Sequence, residues 1–267
     1  TSTNGILVTE KLLKEIKKIG ITGIQVSLDG SKAVTHDKIR GVKGTFEKAL
    51  ETAKNISKLG ISLTIGTVVS RRNYREIPEI IDLALSLNAS IFHLMDFQPM
   101  GKALNKFNKL RITDKQWIKL SNFIDRKKKE LKGKMKIKAE NNRFALLATG
   151  KYSLDMFSKE FDDIDLCFMN CNAGVTKVVI AANGNVYPCE MLREDKFIVG
   201  NIRNTSFKHM WKNSQVLNLL RNRNIKSIKG CEKCEFLDFC QGGCPGASYV
   251  FYKDILVADP RCSIAKR

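Results

Sequence analysis

The residues best suited to chemistry in this sequence are its cysteines, and all 8 of them lie after residue 166. They fall into three stretches, which are Cys167-x3-Cys171 followed by Cys189, the run Cys231-x2-Cys234-x5-Cys240-x3-Cys244, and Cys262. Clustered thiolates bind metal in reducing compartments, whereas disulfides predominate in secreted proteins. Because the sequence shows no secretory signal, we predict a metal-binding region and not a disulfide framework.

The spacing alone leaves the identity of the metal open. Gaps of two and three residues allow neighbouring thiolates to point at one centre from a tight turn. We expect Gly242 and Gly243, which precede Cys244, to let the backbone approach the sulfurs closely. Four cysteines also satisfy a zinc ribbon, so the eight could hold two zinc ions. The histidines lie far from the cysteines in sequence, at positions His36, His93 and His209.

The sequence before the cysteines alternates helical and extended patterns, which predicts βα units and a parallel sheet over residues 1–138. Turn residues such as Asp29-Gly30 end the extended runs. A capping box at Thr113-x-x-Gln116 predicts a further helix through about Leu131. The predicted strands cover residues 24–28, 63–69 and 91–97, and the predicted helices that precede them cover 12–19, 46–59 and 77–85.

The cysteine content divides the chain into parts. We predict a βα region over residues 1–140, a linker over 141–166 and a cysteine-rich domain over 167–267. In the last part, Asn183-Gly184 lies between two short β-prone runs, 178–180 and 185–187, which predicts a hairpin. Residues 206–221 have the pattern of a single helix.

The chain is strongly basic, with 46 Lys and Arg against 27 Asp and Glu and a formal net charge of +19 over 267 residues. This charge forms either an ordinary solvated surface or an attraction for an acidic partner. Aromatic residues are not interleaved with the lysine runs, which argues against a nucleic-acid partner. No run reaches the roughly 18 apolar residues of a membrane span, so we expect a cytoplasmic protein without one.

The cysteine order C-x12-G-x4-C, C-x2-C-x5-C-x3-C and a final cysteine resembles the SPASM domain of radical S-adenosylmethionine (SAM) enzymes. In that family the domain holds two auxiliary 4Fe–4S clusters. The resemblance implies a first cluster whose ligands are Cys171, Cys189, Cys244 and an upstream residue, for which Cys167 is the candidate. It implies a second cluster whose ligands are Cys231, Cys234, Cys240 and Cys262.

The first part resembles the middle of a radical SAM barrel through Val26-Ser27-Leu28-Asp29-Gly30, His36-Asp37 and Arg40-Gly41. The resemblance implies an α/β fold, a partial (βα) barrel containing its later strands. It also implies that Ser27 contacts the ribose of SAM and Arg40 its carboxylate. Gly66 and the segment 97–101 match later strand ends. Without the family, Ser27 is an ordinary strand-end residue, Arg40 a surface charge and His36 a hydrogen-bonded structural residue beside Asp37.

The same resemblance suggests a catalytic base. Glu190 directly follows Cys189, at a position where sulfatase-maturating enzymes have an aspartate that acts as general base. A glutamate can also accept a proton, although its side chain is one methylene longer. The family implies a peptide, a protein or a tetrapyrrole or other cofactor precursor as substrate, and reduced ferredoxin or flavodoxin as electron donor.

The C-x3-C-x2-C loop that holds the SAM-cleaving cluster of radical SAM enzymes does not occur in the sequence. We therefore expect a fragment, the C-terminal two thirds of an enzyme whose missing N-terminal part holds a third 4Fe–4S cluster. The full enzyme would form a 5′-deoxyadenosyl radical, and the fragment alone would be inactive. The alternatives are a noncatalytic zinc-ribbon protein that binds nucleic acid and a simple iron–sulfur electron carrier.

Overall fold

The structure, a computed structural model, describes residues 1–139 and 171–266. These residues form two compact units, one of Thr1–Phe97 with 106–139 and the other of 98–105 with 171–266. The predicted linker and Cys167 lie outside the described residues. Within the described residues, none of the helices has the length and apolar character that a membrane crossing requires.

A five-stranded parallel sheet forms the centre of the first unit. Its strands lie side by side in chain order and are β1 Ser2–Thr3, β2 Gly23–Ser27, β3 Ser62–Val68, β4 Ile91–Met95 and β5 Lys136–Ala139. The helices of this unit are Glu10–Lys18, Ala33–Arg40, Thr45–Lys58, Ile77–Ser86, Phe107–Leu110 and Asp114–Glu130. Short 3-10 helices cover Tyr74–Glu76 and Gly101–Lys106. This is the predicted partial (βα) barrel.

Alternation along the central strands gives the sheet two different faces. Ile24 and Val26 in β2 are buried, as are Leu63 and Ile65 in β3 and Phe92 and Leu94 in β4. Residues on the opposite face remain partly exposed in β2 and β4, as their burial patterns show. Helix Thr45–Lys58 buries its own apolar side, which includes Ala49, Ala53 and Ile56. The core of the unit therefore lies between the sheet and its helices.

The sequence predicted most of these elements to within two residues. The capping box is present, since Thr113 Oγ1 accepts a hydrogen bond from the Gln116 backbone and the Gln116 side chain accepts one from Thr113 N. The helix Ala33–Arg40 was not predicted, although Gly41 ends it in the left-handed conformation with φ 76°. Strand β5 was not predicted either, and its exposed Lys136 and Lys138 flank the buried Ile137.

The second unit contains a small antiparallel sheet of β6 Val179–Ile180, β7 Asn185–Tyr187 and β8 Gly200–Asn201. The predicted hairpin is confirmed: Gly184 adopts a positive φ of 88° in the turn between β6 and β7. Its helices are Phe207–Asn213, Gln215–Arg221, Leu237–Cys240 and Pro245–Tyr252. Short 3-10 helices cover Asp195–Phe197, Ile225–Ser227 and Ile264–Lys266.

The prediction of one helix over 206–221 was wrong. Ser214 has an extended backbone, with φ −66° and ψ 123°, and separates helix Phe207–Asn213 from helix Gln215–Arg221. Its hydroxyl accepts a hydrogen bond of 3.4 Å from Leu217 N. A serine that caps the following helix competes with helical continuation, which explains the break.

Candidate functional site

The upstream thiol group consists of Cys171, Cys189 and Cys244. Cys189 follows β7 directly after Pro188, and Cys244 is the N-cap residue of helix Pro245–Tyr252. Burial, together with the charges of Cys244 and Cys171, raises the pKa of Cys189 to about 12, against opposing backbone hydrogen bonds. Three thiols from distant parts of the sequence are thus held near one another. Cys167, the candidate fourth ligand, lies outside the described residues.

The pocket thiol group consists of Cys231, Cys234, Cys240 and Cys262, all four of which line one pocket. The cavity between these residues is small, with a volume of about 10 Å³. Its other walls are largely apolar and come from Phe236, Leu237, Gly242, Ala258 and Ile264. Burial, and then the charges of the other three thiols and of Glu232, raise the pKa of Cys231 to about 12.

The pocket thiol group has the ligand type and number that a multi-iron cluster uses. Among residues 1–139 and 171–266, no three side chains of His, Cys, Asp or Glu converge tightly enough to hold a single metal ion. A 4Fe–4S cluster bonds each thiolate through a different iron, so its ligands surround a space and need not converge on one point. The four thiols around the apolar pocket have this arrangement. A bound cluster would also remove the thiol protons, because metal-bound cysteine is a thiolate.

A buried ion pair connects the segments that carry the cysteines. Asp259, of which 1% is exposed, accepts hydrogen bonds from Arg261 Nη2 at 2.7 Å and from Cys244 N at 2.9 Å. The backbone of Asp259 donates to Gly242 O at 3.0 Å. The segment before Cys262 is therefore fixed to the central cysteine run. The ion pair was not predicted, although Asp259-Pro260-Arg261 directly before Cys262 is visible in the sequence.

Gly242, one of the two glycines before Cys244, acts differently from our expectation. Gly242 and Gly243 both have positive φ, 72° and 81°, which gives the run its sharp turn. A Cβ on Gly242 would lie 2.6 Å from Ile228 Cδ1, and a cysteine sulfur is not among its closest neighbours. Gly246 does approach a cysteine sulfur, since an added Cβ there would lie 3.5 Å from Cys189 Sγ and 2.6 Å from Met191 Cβ.

Glu190 is a half-exposed carboxylate beside the upstream thiol group. Its Oε2 atom lies 2.9 Å from Lys177 Nζ, in an ion pair whose side chains are 53% and 49% exposed. Burial raises the pKa of Glu190, but the hydrogen bond from Lys177 and the charges of Lys177 and Arg193 outweigh it and lower the pKa overall. The carboxylate is therefore ionised at neutral pH.

In the first unit, one predicted SAM-binding residue, Ser27, lies at the carboxyl end of a parallel strand, where ligands bind in βα folds, and the other, Arg40, is the last residue of helix Ala33–Arg40. Ser27 ends β2, is partly exposed and pairs in register with Gly66 of β3. Arg40 is not an isolated surface charge: its Nη2 atom lies 2.7 Å from Asp29 Oδ2. The Asp29 side chain is 5% exposed and also accepts a hydrogen bond from Val68 N at 2.9 Å.

His36 and Glu76 shape the loop that follows β2. The His36 ring, 1% exposed, accepts a hydrogen bond of 3.1 Å at Nδ1 from Asp29 N, so the interaction that fixes it is with Asp29 and not with Asp37. Glu76 accepts hydrogen bonds from Ser31 N and Ser31 Oγ, both at 2.9 Å, and from Thr35 Oγ1. The segment from the end of β2 through helix Ala33–Arg40 is thus held by buried and partly buried polar contacts.

The partly exposed face of the sheet carries a polar contact across three strands. Gln25 Oε1 of β2 lies 3.2 Å from His93 Nδ1 of β4. The Gln25 side chain crosses β3 at Gly66, where an added Cβ would lie 2.7 Å from Gln25 Nε2. Gly66 therefore provides the space for this contact, which the sequence analysis did not predict.

Comparisons with known families agree with this geometry. Residues 1–84 match the model of the Radical SAM superfamily, and residues 171–235 match that of SPASM, an iron–sulfur cluster-binding domain. Because the radical SAM match begins at residue 1, the expected absence of the N-terminal part of this domain is not confirmed.

Curated relatives match the chain over almost its whole length. It is 28% identical over 264 residues to an AdoMet-dependent heme synthase of Methanosarcina barkeri, covering 98% of this chain and 73% of the relative. The chain is 27% identical over 264 residues to the mycofactocin maturase MftC of Mycobacterium tuberculosis, and the match covers 98% of this chain and 62% of the relative. The chain is 25% identical over 268 residues to a PqqA peptide cyclase of Bradyrhizobium diazoefficiens, and the match covers 98% of this chain and 65% of the relative.

Solved structures show the same fold. Streptococcus suis SuiB bound to S-adenosylmethionine has a TM-score of 0.76 at 19% identity, over 98% of this chain and 58% of that chain. The structure of anSMEcpe with AdoMet and the Cp18Cys peptide has a TM-score of 0.70 at 20% identity, over 99% of this chain and 71% of that chain. The chain thus spans less than three fifths of SuiB.

Fold and matched domains agree with each other. The chain has the architecture of the radical SAM enzymes that carry a SPASM iron–sulfur domain. The cofactors of this class are iron–sulfur clusters and S-adenosylmethionine, and the curated relatives are enzymes of peptide maturation or cofactor biosynthesis.

Proposed function

We propose that the protein is a radical SAM/SPASM enzyme in which the second unit binds two auxiliary 4Fe–4S clusters. The observation that carries this proposal is the separation of seven cysteines into the upstream and pocket thiol groups. The pocket group supplies four thiolates, which is the full ligand set of one cluster. The upstream group supplies three, and Cys167 would be the fourth ligand. The match of 171–235 to the SPASM model supports this assignment.

Ser27 and Arg40 would bind SAM at the carboxyl end of the sheet. When bound and reduced by a further 4Fe–4S cluster, SAM supplies a 5′-deoxyadenosyl radical that abstracts hydrogen from a substrate. The C-x3-C-x2-C loop for that cluster is not among residues 1–267, so we propose that a segment outside this sequence supplies it. Asp29 holds Arg40 through Nη2, and a guanidinium has five N–H donors, so donors for the SAM carboxylate remain.

After hydrogen abstraction, the substrate radical would lose a proton to Glu190 and one electron to an auxiliary cluster. The position of Glu190 next to Cys189 and its half-exposed carboxylate support this role, and Lys177 would hold the side chain in place. Glu232, which follows Cys231 in the same way, provides a matched control because its carboxylate accepts hydrogen bonds from Gly230 N. We expect Glu190→Gln to lower product formation and Glu232→Gln to leave it unchanged.

The substrate would be a peptide, a protein or a cofactor precursor, and reduced ferredoxin or flavodoxin would be the electron donor. The relatives named for heme synthesis, mycofactocin maturation and PqqA cyclisation support this range. The net charge of +19 favours an acidic partner, such as a carboxylate-rich peptide or the propionates of a tetrapyrrole.

The test uses the protein expressed from its complete reading frame and purified without oxygen. Incubated with SAM and dithionite, it should form 5′-deoxyadenosine. Ser27→Ala should raise the SAM concentration that gives half the maximal rate by about tenfold, through loss of one hydrogen bond. Ser62→Ala, at the amino end of β3, is the control and should not change it. If the wild-type protein forms no 5′-deoxyadenosine, the enzymatic proposal is wrong.

A further inference from the structure

Arg223 is held against the backbone between two of the cysteines. It is half-buried, and its guanidinium donates hydrogen bonds to Gln241 O and, at 3.4 Å, to Ile255 O. Gln241 follows Cys240 in the left-handed conformation, with φ 52°, at the end of helix Leu237–Cys240. The short segment from Cys240 to Cys244 gives one thiol to each thiol group. Arg223 therefore contacts the part of the chain that the two groups share.

The charge of Arg223 acts on both thiol groups. The guanidinium interacts electrostatically with Cys171 and Cys244 of the upstream group and with Cys240 and Cys231 of the pocket group. Burial lowers the pKa of Arg223, and the four thiolate charges oppose that change. An arginine stays protonated even so, because its usual pKa lies above 12.

We infer that Arg223 is a shared cation that raises the reduction potentials of both auxiliary clusters. This inference rests on the proposed function, since it requires the two clusters. Reduction adds one negative charge to a cluster that four thiolates have already made anionic. A fixed positive charge nearby stabilises the reduced state more than the oxidised one, and it does so strongly where water is excluded. Arg223 is thus a positioning and tuning residue, distinct from the cysteine ligands.

The experiment is a redox titration followed by electron paramagnetic resonance, on anaerobically reconstituted residues 1–267. Arg223→Gln keeps an amide donor for Gln241 O but removes the charge, whereas Arg223→Lys keeps the charge and changes the hydrogen bonds. Arg203→Gln is the matched control, because Arg203 also donates to two carbonyls, Asn183 O at 3.0 Å and Ala182 O at 3.2 Å.

We expect Arg223→Gln to shift both midpoint potentials to more negative values, with Arg223→Lys and Arg203→Gln close to wild type. Loss of iron in Arg223→Gln alone, with Arg223→Lys fully loaded, would also support the role of the charge. Equal shifts or equal iron loss in both Arg223 variants, or no shift in either, would overturn the inference. A wild-type chain that binds no iron would instead refute the proposed function.

Discussion

Asp259 and Arg261 form a buried ion pair on which the cysteine segments depend. Burial raises the pKa of Asp259, but the charge and hydrogen bonds of Arg261 and the hydrogen bond from Cys244 N lower it overall. The pair is therefore ionised. Removing one partner leaves the other charge buried without compensation, which is costly.

We expect Asp259→Ala to lower the free energy of unfolding of the iron-loaded protein by about 3–5 kcal/mol. The measurement is chemical denaturation followed by circular dichroism and by the cluster absorbance. Asp254→Ala is the control, since Asp254 forms an ion pair with Lys229 at 3.1 Å on the surface. Equal effects of the two substitutions would contradict the importance of the buried pair.

His36 makes the first unit sensitive to pH. Burial lowers the pKa of His36 from its usual value of 6.5 and the charge of Arg40 adds to this, whereas Asp29 and Asp37 oppose it. The unfolded chain therefore binds a proton near pH 6.5 that the folded chain binds only at lower pH. The stabilising contribution of the neutral ring is fully present above this pH and is lost as the pH falls below it.

The expected result is a decrease in the urea midpoint of the first unit between pH 7 and pH 5, and a flatter profile for His36→Gln. The profile of His209→Gln should follow that of the wild type, because His209 lies exposed in helix Phe207–Asn213. Identical slopes for wild type and His36→Gln would show that another group controls this range.

The sequence identified the residues with unusual chemistry but not the residues they contact. The resemblance to the SPASM pattern, and not the spacing alone, implied which thiols belong together, since it places Cys244 with Cys171 and Cys189 although Cys240 lies only four residues away. It could not predict that Asp29 pairs with Arg40 or that Arg223 donates a hydrogen bond to Gln241 O, between Cys240 and Cys244. These contacts join residues that only the complete fold brings together. The roles of Ser27, Arg40 and Glu190 remain predictions.

Strand β3 carries a glycine because a neighbouring side chain needs the space. In Gly66→Ala the new Cβ would displace the Gln25 amide and break its hydrogen bond with His93. We expect a loss of about 1 kcal/mol in the free energy of unfolding, as for a typical hydrogen bond, and a change in the His93 side-chain NMR signals.

Gly23→Ala provides the comparison within the same sheet. Its added Cβ would meet Ser62 O at an ordinary distance of 3.7 Å, so only a small change is expected. If Gly66→Ala and Gly23→Ala had the same effect and the His93 signals did not move, the contact across β3 would be unimportant.

The periodicity of apolar residues predicted the long helices and strands, whereas short elements were not predicted. The strands and the helix after Thr113 have repeating apolar positions that a sequence shows directly. Helix Ala33–Arg40 has eight residues and includes the β-branched Val34 and Thr35, which weaken the helical signal. The break at Ser214 depends on a local serine cap that competes with an otherwise continuous helical pattern.

The candidate site residues of the whole molecule are distributed between its two units. In the βα unit Ser27 ends strand β2 and Arg40 pairs with Asp29, two residues beyond that strand end, and the second unit holds the thiol groups. The composition boundary was visible in the sequence because every cysteine follows residue 166. The identity of the metal was not visible in the sequence, since zinc and iron–sulfur clusters use the same cysteine ligands.

The most direct test of the account is a measurement of iron, sulfide and zinc per chain in anaerobically purified residues 1–267, together with the absorbance spectrum. Two 4Fe–4S clusters predict about eight irons with matching sulfide and a brown protein. About two zinc ions in a colourless protein would contradict the account and support a zinc-ribbon protein instead.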